Sequence, residues 1–267
     1  MINFHEGSLP YYTYTSLAKF KNLTHFTTTR HGGHSQGDFG GLNVSFEVGE
    51  APDAVAQNRN QIAAFFDIDP ERLLFGQQIH ESNISVIGRE FFDQTPRQQQ
   101  KQLAGTDGLV TNLREVCLCV LSADCAGILL FDPEKGVVAA VHAGWRGTVK
   151  KIVVNAVDSM QREFGSEPAE ILATICPCIG VTSYEVGEAV ATEFVKVFGE
   201  NGAIIDRNYP KVHVNISAAN NQLLIESGLL PAHIAMSETC TFENNTQFYS
   251  ARRGDKGRFC SGIMMRD

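Results

Sequence analysis

Three short apolar runs, Leu118–Leu121, Ile128–Phe131 and Val137–Val141, follow one another with only turn-rich breaks between them. Each is too short for a typical helix, rich in β-branched or large apolar residues, and bounded by Gly, Pro or Asp, so each reads as a buried strand. Asp132-Pro133-Glu134-Lys135-Gly136 has the residues of a turn, which predicts a hairpin from the second and third runs. The reactive side chains sit where these strands stop. Asp124 and Cys125 follow the first, and His142 closes the third and leads into Ala143-Gly144-Trp145-Arg146-Gly147. Reactive groups at strand ends on a rigid sheet are a common design of a site.

The flanking chain mixes strands and helices. Residues 1–22 read as an edge strand or arm, and Thr24–Arg30 as a strand. The next stretch, HGGHSQGDFGGLN, has five glycines between Gly32 and Gly41, so it is a loop whose backbone approaches something closely. Pro52–Phe66 reads as a helix, with Val55, Ile62 and Phe66 on its apolar face and Arg59 off that stripe. Leu73–Ile79 and Ile84–Ile87 read as extended, and residues 91–104, rich in Gln and Arg, as a solvated connection. Thr106-Asp107-Gly108 turns into a strand. Apolar residues from Val149 to Phe164 recur at helical spacing, and Gly165 ends that helix. Ile171–Ile175 is a strand, helices are predicted near 186–198 and 215–227, and a strand near 234–237. No internal repeat or linker interrupts the 267 residues. The expectation is α+β: a single domain, 1–267, with mixed β-sheets and packed helices.

A net charge of −8 argues against non-specific nucleic-acid binding, which needs a basic face. No apolar run reaches the length of a membrane helix, and MINFHEGSLPYY lacks the layout of a signal peptide. Seven cysteines is an odd count without a regular framework, so reduced thiols and a cytoplasmic location are expected. A monomer is the default expectation.

Cys125 and His142 support two readings. Cys125 is a nucleophile with His142 as its base, or both are ligands of a metal, zinc first, with His80 as the third. Two His and one Cys leave one tetrahedral position open, the pattern of a catalytic site. The strand-to-helix turn at Gly144–Gly147, with Arg146, suits an anion such as phosphate. Cys176-Pro177-Cys178 lacks the spacing of a zinc knuckle or redox motif. His31 and His34 are loop residues that could face one point, and Arg252 and Arg253 could pair with an anion.

These residues, taken together, resemble the YfiH-type family, also called the multicopper polyphenol oxidoreductase or laccase-domain family. The resemblance runs in order through Arg30-His31-Gly32-Gly33, Leu42-Asn43, Asn58-Arg59, Gln78-x-His80, Thr106-Asp107-Gly108, Ala123-Asp124-Cys125, His142-Ala143-Gly144-Trp145-Arg146-Gly147, Tyr184-Glu185-Val186-Gly187 and Ser250-x-Arg252-Arg253. It departs from the family at Cys176–Ser183, at Gly127 and at Glu81, none of which removes a ligand. The resemblance implies zinc held by His80, Cys125 and His142. It implies purine nucleoside phosphorylase activity, splitting adenosine, inosine or methylthioadenosine with phosphate, together with adenosine deamination. A copper-dependent polyphenol oxidase is the alternative, and a non-catalytic zinc-binding interaction module a second. Multicopper chemistry needs many closely spaced His, whereas this chain has eight and no His-x-His pair. For the nucleoside reading, Asp124 is the candidate proton carrier, Arg146, Arg252 and Arg253 the phosphate cradle with Ser250, and Arg30, Asn43 and Arg59 the further substrate contacts.

Overall fold

The computed structural model describes residues 2–267. Two six-stranded sheets lie face to face, each with helices on its outer side. In chain order the strands are β1 (Ile2–His5), β2 (Tyr11–Tyr14), β3 (Leu23–Thr28), β4 (Leu73–Phe75), β5 (Ile84–Val86), β6 (Gly108–Thr111), β7 (Cys117–Ser122), β8 (Ala126–Asp132), β9 (Val137–Ala143), β10 (Leu172–Ile175), β11 (Ile205–Asp206), β12 (His213–Val214), β13 (Ile234–Met236) and β14 (Phe259–Met265), and the helices begin with α1 (Thr15–Ala18), α2 (Pro52–Phe65), α3 (Pro96–Leu103) and α4 (Trp145–Val149). The first sheet runs β1-β2-β3-β14-β7-β4 and the second β13-β10-β8-β9-β6-β5. The predicted hairpin is β8–β9, antiparallel, with Gly127 opposite His142. Asp132 builds its turn by accepting the N–H groups of Glu134 and Lys135.

The period of two in β7 places its side chains. Leu118 and Val120 face the second sheet, packing with Leu129, Phe131, Val138 and Ala140. Cys117, Cys119 and Leu121 face outward, toward Ile62 and Ala63 of helix α2 (Pro52–Phe65). Both faces are covered, which is why β7, β8 and β9 read as unbroken apolar runs. The other face of the second sheet carries α5 (Ile152–Phe164), α6 (Glu188–Phe198) and α7 (Ile216–Glu226), through Ile152, Val153, Val157, Phe194 and Leu223.

Four elements differ from the sequence reading. Residues 91–104 are not simply a solvated connection: Pro96–Leu103 is a helix, closed by a capping box in which Thr95 and Gln98 bond each other. The helix expected from Val149 onward is broken, because Lys151 adopts a left-handed conformation (φ 58°) between a short turn, Trp145–Val149, and α5. The strand from Leu73 stops at Phe75. The sequence FCSGIMM, assigned to no element from the sequence, forms β14 at the middle of the first sheet. Among the described residues, no helix is long and apolar enough to cross a membrane.

Candidate metal centre

The ends of three segments meet at one point. The β8–β9 register brings Cys125, just ahead of Ala126, beside His142. His80 arrives from β4. After β4 ends, the Gln78 amide continues the ladder along β7, donating to Leu121 O at 3.0 Å and accepting from Leu121 N at 2.7 Å. His80 then takes φ 63°, which turns its ring toward the others. One nitrogen of each His and the Cys125 sulfur all lie within 4.8 Å of one another. Among the described residues this is the one group of His, Cys, Asp or Glu that could hold a metal ion. His80 is exposed, Cys125 half-buried and His142 buried.

Asp107, which the sequence places in a turn motif without a role at the site, ties the centre together. It is 1% exposed. Its carboxylate accepts the backbone N–H groups of Ile79, His80 and Glu81 at 2.9–3.1 Å and lies 2.8 Å from His142 Nδ1. Its carbonyl also accepts His142 N at 2.7 Å. One side chain therefore fixes both histidine segments. With Nδ1–H donating to Asp107, His142 Nε2 is left with a lone pair for a cation. Burial alone raises a carboxyl, but here His142 and the loop N–H groups outweigh it and hold Asp107 below its ordinary value.

The donor set fits a borderline-soft cation. Burial opposes ionisation of Cys125, but His142 and His80 outweigh it and bring the thiol down to about 6. Burial would likewise depress His142, yet Cys125 and Asp107 push it up to about 9. The protein alone therefore favours a thiolate beside an imidazolium, and a cation would replace that proton. Gly144 leaves the room: a Cβ there would lie 3.0 Å from Cys125 Sγ and 3.1 Å from His80 Cδ2.

A cavity of about 280 Å³ adjoins Cys125. Ile179, Ile216 and Tyr184 form its apolar and aromatic walls, and Asp124 and Arg252 its polar ones. Arg252 donates twice to Glu185 O at 2.9 Å and stacks 5.3 Å from the Tyr184 ring centroid. The charge of Arg146 also reaches Tyr184. Arg146 is exposed and lies against the Trp145 ring.

Asp124 has φ 92° and is nearly buried. Its oxygens accept Thr241 Oγ1 at 2.7 Å, Ser250 Oγ at 3.0 Å and Arg252 N at 2.7 Å. Those bonds tie the loop around residue 250 to the turn that carries Cys125. Arg30 pairs with Asp255 and donates to Asn245 O, and Arg253 donates to Phe242 O. Asn43 is fully buried between Ser45, Glu50 and Arg258. Arg59 lines a different cavity. Neither Asn43 nor Arg59 is among the residues around Cys125. The glycine-rich loop closes on itself: a Cβ on Gly41 would sit 1.8 Å from Arg30 O. His31 bonds Thr246 O, and neither it nor His34 joins the metal group. Cys176 and Cys178 are buried free thiols.

The chain matches the family described as multi-copper polyphenol oxidoreductase laccase over residues 24–266. It is 35% identical over 260 residues to a purine nucleoside phosphorylase of Bacteroides thetaiotaomicron, covering 94% of this chain and 95% of that one. It is 34% identical over 242 residues to adenosine deaminase RL5 from an unknown prokaryotic organism, covering 89% and 92%. The crystal structure of YlmD from Geobacillus stearothermophilus superposes with a TM-score of 0.89 at 28% identity, covering 100% of both chains. That of the hypothetical protein YfiH from Bacillus licheniformis gives 0.89 at 28% identity, covering 98% and 99%. Sequence and fold thus agree, and the chain belongs to the multi-copper polyphenol oxidoreductase, or laccase-domain, family.

Proposed function

We propose that the protein is a zinc-dependent purine nucleoside phosphorylase that also deaminates adenosine. The observation that carries this reading is that Cys125 of the His80–Cys125–His142 group lines the cavity walled by Tyr184, Ile179 and Ile216. The names of its relatives, a purine nucleoside phosphorylase and an adenosine deaminase, supply the substrate class.

Zinc held by these three side chains would supply Lewis acidity at a position that the protein does not fill. The chain's own contributions follow from geometry. Tyr184 offers a ring face for a purine, with Ile179 and Ile216 excluding water around it. Arg252, fixed by Glu185 O, places positive charge in the cavity wall where phosphate would approach, and the exposed Arg146 is the second cation proposed for it. Asp107 holds the tautomer of His142. Asp124 and Ser250 hold the loop that presents Arg252. Arg30, Asn43 and Arg253 brace the surrounding loops.

The test is incubation of metal-replete protein with adenosine, with and without phosphate. Adenine and ribose 1-phosphate formed only with phosphate support phosphorolysis, and inosine formed without it supports deamination. Neither product from adenosine or inosine overturns the reading. A Cys/His donor set also binds copper. Phenol oxidation by the copper-loaded protein, lost in Cys125→Ala, would then favour the oxidase that the family description names.

A further inference from the structure

A second cavity, of about 350 Å³, shares no lining residue with the one beside Cys125. Arg59 of α2 stands in its wall with Phe46, Phe75, Gln77, Gln100 and Leu121. The Arg59 guanidinium lies 4.5 Å from the Phe46 ring centroid and 3.9 Å from that of Phe75. Its Nε donates to Val44 O at 2.9 Å. Among the described residues, Nη1 and Nη2 have neither a hydrogen bond nor an ion pair. Burial pushes this arginine down to about 10, so it remains a cation at neutral pH.

The chemistry left to Arg59 is narrow. Aromatic rings lie against it and Nε is used. What remains is the terminal two-nitrogen edge, a fork that matches the oxygens of a carboxylate or phosphate. Beside it, Phe46 is 45% exposed and offers a stacking face. Gln77 and Gln100 add amide donors and acceptors, and the exposed carboxylate of Glu47 stands at the rim. The volume suits one or two fused rings rather than a larger ligand. We infer that this cavity binds a small flat ring bearing one oxyanion, with Arg59 clamping the anion. This inference does not rest on the proposed phosphorylase activity.

The test is calorimetric titration of the metal-replete protein with 2-naphthoate and, separately, with 2-naphthyl phosphate. These arms separate a carboxylate from a phosphate source. At least one binds with one-to-one stoichiometry. Arg59→Lys keeps the charge but loses the fork, and weakens binding by about tenfold or more. Gln100→Trp fills the cavity from the exposed helix on its far side and abolishes binding, so the test stands even if the arginine variant fails to fold. Binding persists in the Cys125→Ala protein with excess adenosine present. No binding of either probe at millimolar concentration overturns the proposal. So does affinity unchanged in both variants, or displacement by adenosine.

Discussion

Cys125 and Cys119 are separated by one strand end, yet their thiols are driven in opposite directions. Cys119 sits in β7 on the face covered by α2, fully buried, 3.7 Å from the sulfur of Cys117 and near that of Cys260. Burial first, and those neighbouring thiols second, push it well above its ordinary value. Cys125 stands six residues on, beyond the strand, where two imidazoles pull it down to about 6. The residue type is the same, and what differs is which partners the backbone delivers. A strand interior delivers more thiols, whereas the loop after β4 and the end of β9 deliver His80 and His142.

The largest effect expected is that of Cys125→Ala. Bound metal, measured by elemental analysis, and turnover should fall together by more than about 100-fold, since a direct donor should count for more than the residues behind it. Metal lost with turnover intact would break the comparison at its root. Next is the alkylation of metal-free protein. Iodoacetamide followed by peptide mapping should label Cys125 at least about 100-fold faster than Cys119, whose exposure requires unfolding. The sign is set by a depressed thiol: labelling of Cys125 rises as pH rises through about 6. By linkage, the stability that this thiolate contributes is present above the ordinary thiol range and is lost as pH falls through about 6.

Asp107→Asn comes third. It places an NH₂ group against the N–H donors of residues 79–81, so metal affinity should drop by about 10–100-fold, read by competition with a chelator. An unchanged affinity would show that the His80 segment holds its place without the carboxylate. The smallest effect is that of Cys119→Ala. Removing one buried sulfur should lower stability by about 1–2 kcal/mol in urea unfolding, with metal content unchanged. A loss of metal there would mean that the two thiols are not independent.

The sequence exposes the difference between these thiols only in part. His80, Cys125 and His142 each close a short apolar run, and that local signal was enough to group them. Asp107 carries no such mark. Its importance lies in reaching N–H groups 26–28 residues earlier and an imidazole 35 residues later. The helix at Pro96–Leu103 was obscured because its Gln-rich sequence shows no apolar stripe, and its cap rather than its burial defines it. Asn43 reads as a polar contact for a ligand, but burial turned it inward as a loop fastener. Local period and punctuation predict elements. Pairings made across the fold decide which polar residues serve the site and which serve the scaffold.

β14 lies between β3 and β7, and Thr27 and Ser261, on neighbouring strands, bond each other across 234 residues of sequence. During synthesis, β3 and β7 therefore each wait with an open edge until the chain has been made through β14 at Phe259–Met265. Closing a loop of that length is slow relative to local hairpins such as β8–β9. The nascent chain thus holds the hairpin that carries His142 well before the sheet that steadies Cys125 can close. Exposed strand edges are sites of mispairing, so this interval is when the chain is most prone to aggregate or to need a chaperone.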